Sequence, residues 1–319
     1  MDKSPTIILS GDQVGARKVF LLSPSMSIIL PNIITVTSEY IKGHMVSRNV
    51  FSKKGENGIV LVVGGSSIYH GAPLLASLAA LRAGTDLVYT GVPRSITTTF
   101  RSYSPNVIAL PMPADRLTVG SANRLLGSLP KVPHAAAIGM GMSISKPEAL
   151  VLLVRRLIDK GTKLVLDASA LIPDVLDIIT ASDTIVTPHA GEYARIFQQA
   201  PGSNKEEMIS NVMKMAEKYK ITIVLKGWLN IIADGRGNLA TIMRSTPAMT
   251  VGGTGDVLDG IASSLLARMN PFDASAMAVY FNGMAARLAF EQIGLHLVAT
   301  DLVDSLPEAM KPFDSITDG

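Results

Sequence analysis

From about residue 58 onward, short unbroken apolar runs alternate with stretches of helical spacing, and this alternation limits the fold more than any other feature of the chain. Ile59-Val60-Leu61-Val62-Val63 is apolar at every position and stops at Gly64-Gly65. A strand with one wet face alternates polar and apolar residues. A run with no polar member suits a strand covered on both faces, as in a parallel sheet between two helical layers. Parallel neighbours need a crossover, and one follows directly. Pro73 suits a first helical position, residues 74–83 are rich in Ala and Leu, and Gly84 suits the residue past a helix end. Further strands are predicted at 87–92, 135–138, 163–166, 184–187 and 222–225, with helices at 147–160 and 205–219. Residues 229–233 and 239–243 flank Asp234-Gly235-Arg236-Gly237-Asn238, a turn that predicts an antiparallel hairpin at one margin of the sheet.

The expected fold class is therefore α/β, with a mainly parallel central sheet and helices on both faces. With 47% hydrophobic and 17% charged residues, a chain of 319 residues can fill such a core. No repeat or low-complexity linker divides residues 58–310, so one domain is expected over 51–312. Residues 1–50 have no clear period and are read as an N-terminal extension of unknown role: an extra layer, an oligomer contact or an arm. The complete lack of cysteine excludes disulfides, thiolate nucleophiles and cysteine-ligated zinc. The net charge is +3 and the basic residues are scattered, so no nucleic-acid partner is expected. The early apolar stretch is broken by Pro24, Pro31 and Asn32, which argues against a membrane span. Asp2 beside Lys3 argues against a signal peptide, and the expected location is the cytoplasm.

The chemistry concentrates at element ends. Gly252-Gly253-Thr254-Gly255-Asp256 is followed by apolar residues at 257, 258, 261, 262, 265, 266 and 269, so the glycines lie at a helix N-terminus. Unpaired amides and the helix dipole favour an anion there. A carboxylate in the same turn would repel phosphate, and Asp256 makes sense in that place if it takes a proton from an attacking hydroxyl. Taken alone, the segment is better accounted for by a capped helix entered through a flexible turn. Neither a Walker A loop nor a G-x-G-x-x-G occurs anywhere in the chain. Five other edges carry ligand-compatible residues: Thr187-Pro188-His189-Ala190-Gly191-Glu192, Lys226-Gly227, Gly139-Met140-Gly141, Asp167, and Gly64-Gly65-Ser66-Ser67 with Gly71-Ala72-Pro73. Each is bland by itself. Six together, in a chain sparing with charge, favour a ligand site beyond the carboxyl ends of the strands.

In their order and content these segments resemble the ADP/ATP-dependent NAD(P)H-hydrate dehydratases of the ribokinase-like superfamily, over roughly residues 50–310. The resemblance implies a ribokinase-like three-layer sandwich. It also implies repair of hydrated NADH or NADPH by phosphorylation of the ring hydroxyl from ADP or ATP, with Mg²⁺, followed by elimination of phosphate. On that resemblance Asp256 is the catalytic base, and Gly253, Thr254 and Gly255 hold the transferring phosphoryl group. Lys226, Gly227, Trp228, Leu229, Asn230 and Gly255 line the nucleotide site, and Ala72, Gly141, His189 and Asp256 contact the hydrated cofactor. Glu192 organises the metal through water, and a homo-oligomer, a tetramer, is implied. Met140 and Ser143 depart from the usual G-P-G-x-G loop, Asn282-Gly283 stands for the usual His-Gly, and Trp228-Leu229-Asn230 stands where K-G-x-x-T is typical. A kinase of a small alcohol, or a non-catalytic nucleotide-binding relative, are the competing expectations.

Overall fold

The computed structural model describes residues 19–21, 27–29 and 33–318. Ten strands form one sheet: β1 (Ile33–Ile34), β2 (Ile59–Val63), β3 (Leu87–Pro93), β4 (Ile108–Met112), β5 (Ala135–Ile138), β6 (Lys163–Leu166), β7 (Thr184–Val186), β8 (Thr222–Leu225), β9 (Leu229–Ala233) and β10 (Leu239–Met243). Their spatial order is β1-β10-β9-β8-β7-β6-β5-β2-β3-β4. Only β9 runs against its neighbours; every other pairing in the sheet is parallel. The helices in chain order are α1 (Ser38–His44), α2 (Gly71–Arg82), α3 (Arg94–Tyr103), α4 (Val119–Ser128), α5 (Pro147–Ile158) and α6 (Leu176–Ile179). They continue with α7 (Ala190–Phe197), α8 (Lys205–Tyr219), α9 (Thr254–Leu266), α10 (Pro271–Ile293) and α11 (Ala299–Met310).

The unbroken apolar strands are buried on both faces, as their pattern predicts. All five residues of β2 are buried, and their alternation splits them between two cores. Val60 and Val62 join Ala135, Ala137, Val165 and Val224 against α2, α9, α10 and α11. Ile59, Leu61 and Val63 join Ala136, Ile138, Leu164 and Leu166 against α4, α5, α7 and α8. Each fully buried aliphatic side chain contributes about 1.5–3 kcal/mol relative to exposure. The product is a three-layer α/β sandwich. The predicted strands and helices occur within two residues of their expected ends, and the hairpin of β9 and β10 closes through Asp234, whose Oδ1 accepts from the amides of Arg236 and Asn238 at 2.9 Å each.

Two parts of the fold carry no clear sequence signal. The first is β4 with its flanking α3 and α4; β4 is an edge strand, where Pro111 removes no needed ladder hydrogen bond. The second is residues 33–49, grouped by sequence with the extension. Here β1 pairs with β10, Ile41 is fully buried in the core, and the Tyr40 hydroxyl donates to Asp273. The backbone carbonyls of Val46 and Ser47 accept from Arg268 Nη2 at 2.8 and 3.0 Å.

Helix α9 lies close against α2 because Gly260 has no side chain. A Cβ there would sit 2.2 Å from the Ala76 carbonyl oxygen and 2.7 Å from Ala79 Cβ. Gly260→Ala is therefore expected to lower stability by about 1–3 kcal/mol through overpacking. Urea unfolding should show a lower midpoint at unchanged slope. An unchanged midpoint would mean that the two helices have room to part.

Candidate active site

The N-terminus of α9 points out of the carboxyl end of the sheet. Gly253 precedes it with φ +98°, a left-handed conformation, and a Cβ on it would lie 2.7 Å from both Ala299 Cβ and Leu75 Cδ1. Only glycine satisfies both conditions. The first bond of the helix runs from the Val257 amide to the Gly253 carbonyl at 3.0 Å, which leaves the amides of Thr254, Gly255 and Asp256 outside the ladder and available to an anion. Thr254 braces the turn: its hydroxyl donates to the Met249 carbonyl at 3.1 Å, and its own carbonyl accepts from Asn282 Nδ2 at 3.3 Å.

Above this helix end sits one lysine among four carboxylates. Lys226 follows β8, and its Nζ lies 2.7 Å from Asp167 Oδ1 at the end of β6 and 4.0 Å from Glu192 Oε2 in α7. Burial works against the ammonium, but the charges of Asp167, Asp259 and Glu192 outweigh it and hold Lys226 above the ordinary lysine range. For Asp167, burial opposes ionisation, and the attraction and hydrogen bond of Lys226 overcome it, so its carboxyl lies below the usual range. Asp256 is pushed the other way, up to about 7, by burial first and the Asp167 charge second, with Lys226 a partial offset. The environment thus divides like residues into a fixed anion and a proton acceptor poised near neutrality.

A cavity of about 440 Å³ opens at this corner. Of the residues singled out by sequence, His189, Lys226, Gly227, Trp228, Asn230, Gly253, Thr254 and Gly255 line it, joined by Met243, Arg244 and Met249, which no motif announced. Trp228 is exposed at its edge, whereas Leu229 is buried in β9 and does not line the cavity. Ala72 and Gly141 meet in a neighbouring wall. Gly141 has φ +61°, and a Cβ there would fall 2.8 Å from the Tyr69 carbonyl oxygen and 3.2 Å from Ala72 Cβ. That wall reaches the charged cluster through Gly139, where a Cβ would lie 1.9 Å from the Asp167 carbonyl oxygen. The loop keeps a tight turn with Met140 in it: Met142 N donates to Gly139 O at 3.1 Å, and Met140 is buried with its carbonyl accepting from Gly65 N at 2.9 Å.

His189 caps α7. Its Nδ1 accepts from the amides of Gly191 and Glu192 at 3.0 and 3.2 Å, while Glu192 Oε2 accepts from the His189 amide at 2.9 Å. Among the described residues no group of three or more acidic or histidine side chains forms a metal cage. Asp259 is a further member of the cluster that sequence reasoning left out of the site, and Thr187 of the strand-end segment holds it: Thr187 Oγ1 donates to Asp259 Oδ1 at 3.0 Å. The signal for Asp259 was available, an aspartate on the apolar face of a helix, three residues after Asp256.

A family model described as NAD(P)H-hydrate dehydratase matches residues 60–308. The chain belongs to the NAD(P)H-hydrate dehydratase family. It is 48% identical over 283 residues, 88% of this chain and 98% of the relative, to the ADP-dependent (S)-NAD(P)H-hydrate dehydratase of Nitrosopumilus maritimus. Its fold is similar to that of the ADP/ATP-dependent NAD(P)H-hydrate dehydratase of Bacillus subtilis co-crystallised with ATP and Mg²⁺, with TM-score 0.76 and 26% identity over 89% of this chain and 99% of that one. A ribokinase-like superfamily protein of Enterococcus faecalis, 21% identical with TM-score 0.72 over 88% of this chain and 96% of that one, shows the same ribokinase-like fold.

The raised Asp256 pKa has a consequence for stability. The folded state holds this proton up to about pH 7, whereas an unfolded aspartate releases it near 3.8, so the contribution is present at low pH and lost as pH rises through about 7. Asp256→Asn removes that loss. The variant is expected to match the parent in Tm near pH 4 and to exceed it at pH 8; equal Tm values at both would show that Asp256 titrates normally.

Proposed function

We propose that this chain catalyses the nucleotide-dependent dehydration of hydrated NADH and NADPH. The observation that carries the reading is Asp256, a carboxyl tuned to about 7, placed in the same helical turn as three free amides. The hydrated cofactor lies with its ring hydroxyl at Asp256, against the wall of Ala72, Gly141 and His189. ADP or ATP occupies the cavity lined by Lys226, Gly227, Trp228 and Asn230, with its terminal phosphoryl group on the amides of Thr254 and Gly255 behind Gly253. Asp256 takes the hydroxyl proton as the oxygen attacks phosphorus, and the nucleotide leaves one phosphate shorter. The ring carbon–oxygen bond of the phosphate ester then breaks, inorganic phosphate departs with the bonding pair, and the adjacent carbon gives a proton to water, which restores the ring double bond. Mg²⁺, when bound with the nucleotide, supplies neutralisation of phosphate charge. The helix dipole adds positive potential from the protein side, and the Lys226 ammonium offsets the carboxylates around it.

We also propose that residues 51–312, together with the strand and helix of residues 33–49 that join their sheet and core, are the dehydratase domain, and that the protein works in the cytoplasm as a homo-oligomer, a tetramer. Exposed Val50, Phe51 and Ile316, brought together where Val50 N donates to Thr317 O at 3.0 Å, support a subunit contact. A monomer mass in sedimentation equilibrium would remove the oligomer.

Incubation with hydrated NADH, Mg²⁺ and ADP or ATP is expected to restore dihydronicotinamide absorbance. No recovery with either nucleotide sinks the dehydratase reading, and a stable phosphorylated alcohol would reassign the chain as a kinase. Asp256→Asn should lose about 10²–10⁴-fold in kcat, the span of a general base, while nucleotide affinity stays within a few-fold. Because the base must be ionised, kcat/KM of the parent should climb with pH along a limb centred near 7. A limb near 4 would exclude Asp256 as that base.

A further inference from the structure

The mechanism above leaves one buried acid unused. Asp259 is 0% exposed and lies one helical turn beyond Asp256 on α9, facing the strand ends. Asp167 faces it from β6, Thr187 from the end of β7 and Lys226 from the end of β8, with Asp256 on its own helix; Glu192 of α7 approaches through Lys226. Its Oδ1 accepts from Thr187 Oγ1 at 3.0 Å, but its Oδ2, fully buried, meets no donor. An ionised carboxylate only accepts, and leaving one of its oxygens dry and unpartnered is unfavourable. Protonation turns the same oxygen into a donor, and Asp167, the carboxylate that shares a side-chain hydrogen bond with Asp259, is an acceptor.

The charge balance points the same way. Asp167, Glu192, Asp256 and Asp259 surround a single lysine, and a low-dielectric interior does not hold four anions against one cation. Lys226 commits its shortest contact, 2.7 Å, to Asp167, so the surplus proton belongs on the acid farthest from solvent. We propose that Asp259 is a neutral carboxylic acid that donates its Oδ2 proton to Asp167, and that by gripping Asp167 it acts as a positioning residue for Lys226. Burial, and after it the Asp167 charge, hold the Asp259 carboxyl well above the ordinary carboxylate range, in keeping with this assignment. Neutral acids kept as hydrogen-bond donors by an apolar site are an established device of enzymes. Here the device has a defined target. Asp167 is gripped on one side by the ammonium and on the other by the acid, and the ammonium is thereby fixed over the α9 N-terminus, 3.5 Å from where a Gly255 Cβ would stand.

The role in nucleotide handling rests on the dehydratase reading; the protonation state does not. Infrared spectra of the intact protein at pH 7 should contain a protonated-carboxyl carbonyl band that Asp259→Asn removes. Absence of that difference overturns the proposal whatever the enzyme's activity. Asparagine keeps both hydrogen bonds of a neutral acid, so Asp259→Asn should bind ADP with Mg²⁺ as the parent does and leave the pH limb of kcat/KM in place. If Asp259 were ionised, losing its charge would move that limb down by about half a unit or more, and this shift would overturn the assignment. Asp259→Ala should weaken ADP binding about tenfold, the worth of one hydrogen bond to a charged group, with KM for nucleotide rising more than kcat falls. An alanine variant that folds and binds ADP like the parent refutes the positioning role. If Asp259→Ala does not fold, the asparagine variant and the infrared band still decide.

Discussion

The ion pair between Lys226 and Asp167 is the interaction around which the site is organised. Bringing two charges out of water is unfavourable by several kcal/mol per ion, and the pair persists because its geometry is short and further groups complete its partners. It ties the end of β8 to the end of β6, two strands separated in the sheet by β7. The backbone is fitted to it: Gly139 touches the Asp167 carbonyl, and Lys226 N donates to Pro188 O at 2.8 Å, which brings the His189 segment alongside. Through this one contact the glycine loop, the α7 cap and the cavity wall at Lys226 share a common anchor.

The same pair decides what the neighbouring acids do. Asp167 keeps its charge because the ammonium is within hydrogen-bond distance. Asp256 and Asp259 feel the Asp167 charge more than they feel Lys226, and both are desolvated, so both rise. They rise unequally in consequence. Asp256 is only partly buried beside the cavity-lining Gly255, whereas Asp259 is sealed in the core. Two aspartates one helical turn apart thereby receive different chemistry from their surroundings alone.

How much was legible beforehand follows from what each signal depends on. The buried strands were readable because a strand covered on both faces must be apolar throughout, and β2 obeys that rule at all five positions. The hairpin was readable because its turn chemistry is local. Strand β4 was not, since Pro111 inside an otherwise apolar run argues against a strand except at a sheet edge, and the edge position exists only once the sheet has formed. Residues 33–49 were not, because β1 contributes only two residues to the sheet and Ile41 is a lone buried anchor in a seven-residue helix. Such short elements owe their order to the surface they land on.

The sequence by itself determined the layered α/β class and the helix start at Gly253-Thr254-Gly255, because periodicity, glycine placement and capping act over a few residues; the weight on Asp256 came from the company of five other segments. It placed Lys226 and His189 at strand ends without saying which acid either would meet. Only the tertiary structure decided that Asp167, Glu192, Asp256 and Asp259 share one lysine, since they come from three elements spread over residues 167 to 259. It also decided which of them carry protons. A pKa depends on burial and on charges within a few ångströms, and those distances exist only after β6, β8, α7 and α9 have packed.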